Sequence, residues 1–313
     1  MNIKNPKLIS AALISIVVVG GLQALIYILN LNQLRIYLHV AFWIYIYLIL
    51  KITLLYDLHY KNPEAWEQLE AKYPGAKLMQ KIKALGKAFW ERLAHLRRWS
   101  ELKQWLNYLI LPGFLYWPSV CLFYLHMGDL KTQQLIATLS GFALIFTYWH
   151  LKEIFTRKDE QIKTGAITAL SLIKLYAAFL VFTSAIGITR HFCLGLEHYA
   201  LGIFSLSYLL IHQALFQFRL LSLKAVGLTL LFSAIITLFA LIVYIHWGLN
   251  YFTAGAFLMV WYNFFWNLLH HYAEKHLTWS GLMELLAVTI IASVMLLGAT
   301  NFRSRISDTC GIS

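Results

Sequence analysis

The chain has 313 residues, is 60% hydrophobic and carries a net charge of +12 on only 13% charged residues. With a mean hydropathy of +0.64, that composition excludes an ordinary water-soluble domain, in which about a quarter of residues are charged. In a chain this apolar, positive charge marks cytoplasmic loops and anionic lipid rather than nucleic acid.

Nine apolar runs long enough to span a bilayer, about 20 residues each, fall near 8–29, 34–56, 105–127, 133–155, 165–189, 191–215, 225–246, 250–272 and 280–300. The expected fold is therefore all-α: a polytopic membrane bundle of about nine transmembrane helices forming one domain over 1–313, with the last span peripheral in one reading. Lys4 and Lys7 precede the first run and no small-residue cleavage site follows it, which reads as an uncleaved signal anchor. Pro112 and Pro118, six apart, give the third span a kink signal.

Loop charges orient the bundle. Segment 57–104 holds ten Lys/Arg; 156–164 adds Arg157, Lys158 and Lys163, and 216–224 adds Arg219 and Lys224. The alternate loops near 30–33, 128–132 and 247–249 share one Lys. The positive-inside rule then places the N-terminus in the cytoplasm of a multi-pass protein of the cytoplasmic (inner) membrane.

Segment 57–104 reads as a cytoplasmic insertion. Asn62 and Pro63 open a short helix that Pro74-Gly75 closes. Leu78, Ile82, Leu85, Phe89, Leu93 and Leu96 then recur at steps of three and four, with Lys81, Lys83, Lys87, Arg92 and Arg97 on other faces. That is a basic amphipathic helix suited to anionic lipid at the inner surface. A lid over a cytoplasmic site or a docking surface would carry the same pattern. The three cysteines, Cys121, Cys193 and Cys310, lie far apart without CxxC spacing, supporting neither a disulfide framework nor a zinc ribbon.

Twelve histidines in such a chain are the main chemical clue. The orientation puts His39, His126, His191, His198 and His246 near the outer ends, and His59, His150, His212, His270, His271 and His276 near the inner ends. The inner set has acidic company. Asp57 precedes His59 by two; His150 and Glu153 are i, i+3; His270 and His271 stand four and three residues before Glu274. Residues so spaced share a helix face. Imidazole with carboxylate is the ligand mix of iron, manganese and zinc sites in helix bundles. The metal candidates are thus His59, His150, Glu153, His212, His270, His271 and Glu274. A helix C-terminus also favours an imidazolium by itself, so His150, His270 and His271 are each explained individually by position. His212, two turns inside its span, is costly there unless it serves a function or bonds to a neighbouring helix.

Other intramembrane polar groups stand out. Lys174 lies deep in the fifth span, able to pair with a carboxylate, bind an anionic group or snorkel inward. Glu197 could be neutralised by Arg35 or Arg190. Asn263 and Asn267 share a face leading to His270 and His271, as outer partners of a metal site or as packing groups. His198 and His212, fourteen apart on one helix, have the spacing of paired haem ligands, which makes a b-type cytochrome holding haem b an alternative; no matching pair occurs on a second helix. Lys174, Glu197 and His212 would equally suit the ion path of a secondary transporter, although inverted repeats are not evident.

The depth sorting and the turn "HHYAE" resemble the histidine-rich integral-membrane iron oxygenases, which include the fatty-acid desaturases and hydroxylases and the Brp/Blh type of β-carotene dioxygenase. The likeness covers scattered residues of the second, fourth, sixth and eighth spans, and the HxxxH and HxxHH boxes are absent. It implies a membrane oxidoreductase with non-haem iron, a lipid or isoprenoid substrate entering from the bilayer and a separate electron donor. Iron would be held by His150, His212, His270, His271, Glu153 and Glu274, with Asp57 and His59 completing or orienting the shell. Aromatic side chains, 16% of the chain, would wall the apolar substrate.

Overall fold

A computed structural model describes residues 6–55, 90, 99–156, 164–217, 220–247, 250–273 and 276–300. Among them are nine helices and no strand: α1 Pro6–Asn30, α2 Leu34–Leu55, α3 Trp99–Leu125, α4 Leu130–Thr156, α5 Thr164–His191, α6 Leu196–Gln217, α7 Leu223–His246, α8 Tyr251–Ala273 and α9 Trp279–Ala299. All nine coincide with the apolar runs of the sequence. Six carry stretches long and apolar enough to cross a membrane: Leu34–Ile52, Trp105–Leu125, Ala169–His191, Leu196–Phe216, Leu223–His246 and Trp279–Ala299. In lipid every backbone polar group must be satisfied within the segment, and helices do this. The basic amphipathic segment lies outside the described residues, apart from Trp90. Residues 99–104, read from the sequence as part of that insertion, instead form the N-terminal turns of α3.

Short connections end the helices by local chemistry. Asn32 takes a positive φ of 63° between α1 and α2, and Gly128 one of 93° between α3 and α4, conformations suited to Asn and Gly. Asp129 caps α4, accepting from the Thr132 amide at 3.3 Å and its hydroxyl at 2.6 Å. Ser222 caps α7 and Thr278 caps α9 in the same way.

Two apolar cores result, and α5 belongs to both. Leu170, Ala177 and Leu180 of α5 face the core built with α1, α2, α3 and α4. Ala178, Val181, Phe182 and Ile186 face the core shared with α6, α7 and α8. Helix α9 lies at the edge against α8 and is little buried, as one reading of the sequence allowed.

Hydrocarbon supplies little drive for apolar helices to associate, so close packing and interhelical hydrogen bonds carry the assembly. On α2 and α3, Tyr37 donates to Val120 O at 2.6 Å and Tyr116 donates to Ala41 O at 2.7 Å. Ser119, Ser140 and Tyr176 form a hydroxyl chain through α3, α4 and α5, with links of 2.6 and 2.9 Å. Gln23 and Gln134 exchange amide bonds at 2.8 Å between α1 and α4. The tightest contact is between α5 and α8. A Cβ on Gly255 would collide with Thr183 Oγ1 and stand 2.8 Å from the Thr183 backbone.

That geometry predicts that Gly255→Ala destabilises the protein by about 1–3 kcal/mol. Gly202→Ala, whose Cβ would meet nothing within 4 Å, should leave stability unchanged. Thermal unfolding of the two purified variants checks this, and equal behaviour would contradict the packing.

Candidate functional site

At the C-terminal end of α8, His270 and His271 stand with ring centroids 5.9 Å apart. Trp266, one turn earlier, packs on His270 at 5.4 Å. The other side of this group is Lys174 of α5, whose Nζ lies 5.5 Å from the Trp266 ring centroid. Lys174 is only 3% exposed, and the indole face supplies a partner for a cation at that depth. Asn267 donates to both the backbone and side-chain oxygens of Asn263, at 2.8 and 3.1 Å. The two amides therefore bond along one helix.

His212 is half-buried on α6, tilted against Tyr208 with centroids 5.7 Å apart. His150 and Glu153 lie in the last two turns of α4, but their side chains are outside the described part. His59 and Glu274 are outside the described residues altogether, as is Asp57. Of the metal candidates, the structure thus brings together His270 and His271, and among the described residues no three His, Cys, Asp or Glu side chains converge.

Three further histidines, His126, His191 and His39, bond to separate partners. His126 Nε2 is 2.6 Å from the Tyr251 hydroxyl, His191 Nε2 is 3.1 Å from that of Tyr124, and His39 Nδ1 is 2.7 Å from Arg35 O. Arg190, in the last turn of α5, donates to Trp247 O at 3.3 Å. Glu197 is exposed at the start of α6. Cys193, between α5 and α6, is disulfide-bonded, whereas Cys121 is a free thiol.

A feature the sequence did not display is a groove of about 770 Å³ between α2, α3, α5 and α6. Its floor is α5, with Val181, Ser184, Ala185 and Ile188, and its walls are α3 and α6. Gly202 leaves it wide, since an added Cβ there would meet nothing within 4 Å, whereas Gly113 makes room for the Tyr45 hydroxyl, 2.9 Å from where its Cβ would stand; Pro118 and Cys121 also line it. Tyr45 of α2 closes the flank, stacked on Tyr116 at 5.7 Å and edge-on to Trp117 at 5.4 Å. Tyr108 and Phe216 meet at 5.4 Å and join α3 to α6 near the C-terminal end of α6. Leu106 and Leu209 are exposed on the rims, so the groove opens sideways from the bundle. Along α6 it runs from His198 to Leu209, about 16 Å at 1.5 Å per residue. His198 lines it and His212 does not, so the two histidines of the haem alternative serve different surroundings. The sequence signals were Pro112 and Pro118 on α3 and the unpartnered smallness of Gly202; neither names a cavity without the tertiary arrangement.

No family model matches this chain, and neither a curated protein nor a solved structure is similar to it.

His126 follows the last residue of α3 and gives a pH prediction. Burial, the larger effect, holds its imidazolium below the ordinary value, while Asp129 pulls it upward. In the unfolded chain it titrates near about 6.5, so between the two values the unfolded state binds more protons. Stability attributable to His126 is present above about pH 6.5 and is lost as pH falls through the folded value. The melting temperature should drop between pH 7.5 and 5.5, and His126→Asn should shrink that drop; an undiminished drop in the variant would contradict the assignment.

Proposed function

We propose that this is a multi-pass protein of the cytoplasmic membrane, with α1 to α9 all spanning and the N-terminus inside, that binds a long-chain lipid or isoprenoid in the groove between α3 and α6. The groove itself carries the reading. Its volume lies within the usual range for small-molecule sites, about 300–1,000 Å³, its lining is almost wholly apolar, and its open side would face acyl chains. The orientation rests on the loop charges and agrees with the disulfide at Cys193, since the α5–α6 connection then lies on the oxidising side.

The finer reading is an oxidoreductase acting on that ligand, a non-haem iron oxygenase, desaturase or hydroxylase. It is favoured by the place of His212, one turn inward of Leu209 in the groove wall, and by the pairing of His270 with His271. Two histidines together do not complete an iron site, so the reading also requires His150, Glu153, His59 or Glu274. Iron held there would supply oxygen activation. The chain's own contribution would be to hold the apolar ligand beside that end and keep water out, with an electron donor meeting the basic inner face.

Two measurements separate these readings. Gly202→Phe, at a lining position where an added Cβ meets nothing within 4 Å, puts a bulky ring into the groove and should weaken binding of a fluorescent polyene chain by about tenfold or more. Gly227→Phe, on the exposed face of α7, should bind as the wild type does. Equal binding in both variants would remove the groove as the site. Elemental analysis of the purified protein should find stoichiometric iron if the oxidoreductase reading holds. Absence of iron, manganese and zinc would end it, and a Soret band would replace it with the haem alternative.

A further inference from the structure

The groove is apolar along its length but not at its outer end, where Thr189 of α5 and His198 and Tyr199 of α6 line it. Tyr199 is the informative residue. It is 3% exposed, it lines the cavity, and its hydroxyl makes no hydrogen bond among the described residues. A buried phenol without an acceptor is costly, and an acceptor carried by a bound ligand would satisfy it. The Ser184 hydroxyl, also in the lining, is already used: it donates to Val181 O at 3.0 Å.

Charge decides what kind of acceptor fits. No carboxylate lines the groove, and the one acidic side chain at the start of α6, Glu197, is exposed. Arg190 follows Thr189 directly and lies within electrostatic range of the Tyr199 hydroxyl. Its guanidinium is half-buried and bonded to Trp247 O, next to the groove lining and not part of it. A hydroxyl donor with a fixed cation behind it is a receptor for an oxyanion.

Building on the reading of the groove as a lipid site, we propose that its outer end, with Tyr199, Thr189, His198 and Arg190, binds the oxyanion headgroup of a single-chain amphiphile, a carboxylate or phosphate monoester. The chain then lies along α3 and α6 and points inward. The head sits at headgroup depth, where a charge is tolerated, and the tail ends near Leu209, one turn from His212.

The test uses the full chain in detergent with a bound fluorescent polyene probe, displaced by ligands sharing one C18 chain: oleic acid, oleyl phosphate and oleyl alcohol. The two oxyanions should displace it at concentrations about tenfold lower than the alcohol, and inorganic phosphate alone should leave it in place. Tyr199→Phe keeps the ring and should erase most of that preference while leaving displacement by the alcohol unchanged. Arg190→Gln should act in the same direction, and Glu197→Gln should not. If all three C18 ligands displace equally, the headgroup site is overturned and the groove survives. If none displaces the probe, the groove reading itself fails. Displacement by inorganic phosphate alone would show an anion site unconnected to the chain and would also overturn the proposal.

Discussion

The close approach of α5 and α8 at Thr183 and Gly255 is the contact on which the rest of the arrangement depends. Helix α5 is packed on by α3, α4, α6 and α8, and it is the one element that contributes to both apolar cores. Because lipid offers little reward for pushing apolar helices together, its position is set by how near a neighbour's backbone can come. Gly255 lets α8 come to within contact of the Thr183 backbone. The same pairing lays Trp266 over Lys174 further inward, so an intramembrane cation and the α8 histidines are held in one register.

With α5 held between its neighbours, α3 and α6 cannot close on each other along their whole length. They meet through Tyr108 and Phe216, and elsewhere the floor of α5 is left exposed between them. Gly202 leaves the gap wide, Gly113 admits the Tyr45 hydroxyl, and the aromatic group of Tyr45, Tyr116 and Trp117 stiffens the flank. The groove is thus a consequence of the bundle's packing and not of any motif. Its two ends differ in chemistry: hydroxyls and a histidine where Thr189, His198 and Tyr199 line it, aromatic and aliphatic side chains towards Trp105 and Leu209.

Helix positions were legible because each is a long apolar run whose backbone has one way to satisfy itself in lipid. The edge position of α9 was legible from the same pattern only as an option. Less legible was where α3 begins, since residues 99–104 are polar and read as loop while continuing the helix. At the C-terminal end of α8, the meeting of Lys174 with Trp266 depends on the α5–α8 register, which single-helix periodicity does not encode. Asn263 and Asn267 illustrate the opposite risk: their shared face suggested partners for the histidines, whereas an amide at i+4 can bond its own helix. The groove was invisible because its essential residues are glycine, proline and aliphatic side chains, whose meaning lies in what stands opposite. Tyr199, the residue that gives its outer end a chemical preference, looks in sequence like one aromatic among many.

The most direct test of the central claim is photolabelling of the membrane-embedded protein with a diazirine-bearing C18 fatty acid, followed by peptide mapping. A ligand lodged in the groove predicts adducts on Ile110, Phe114, Leu206 and Leu209, competed by excess unlabelled fatty acid and lost in Gly202→Phe. Labelling confined to the outward faces of α7 and α9, and insensitive to competitor, would mean that the chain contacts the protein only as bulk lipid and would contradict the account.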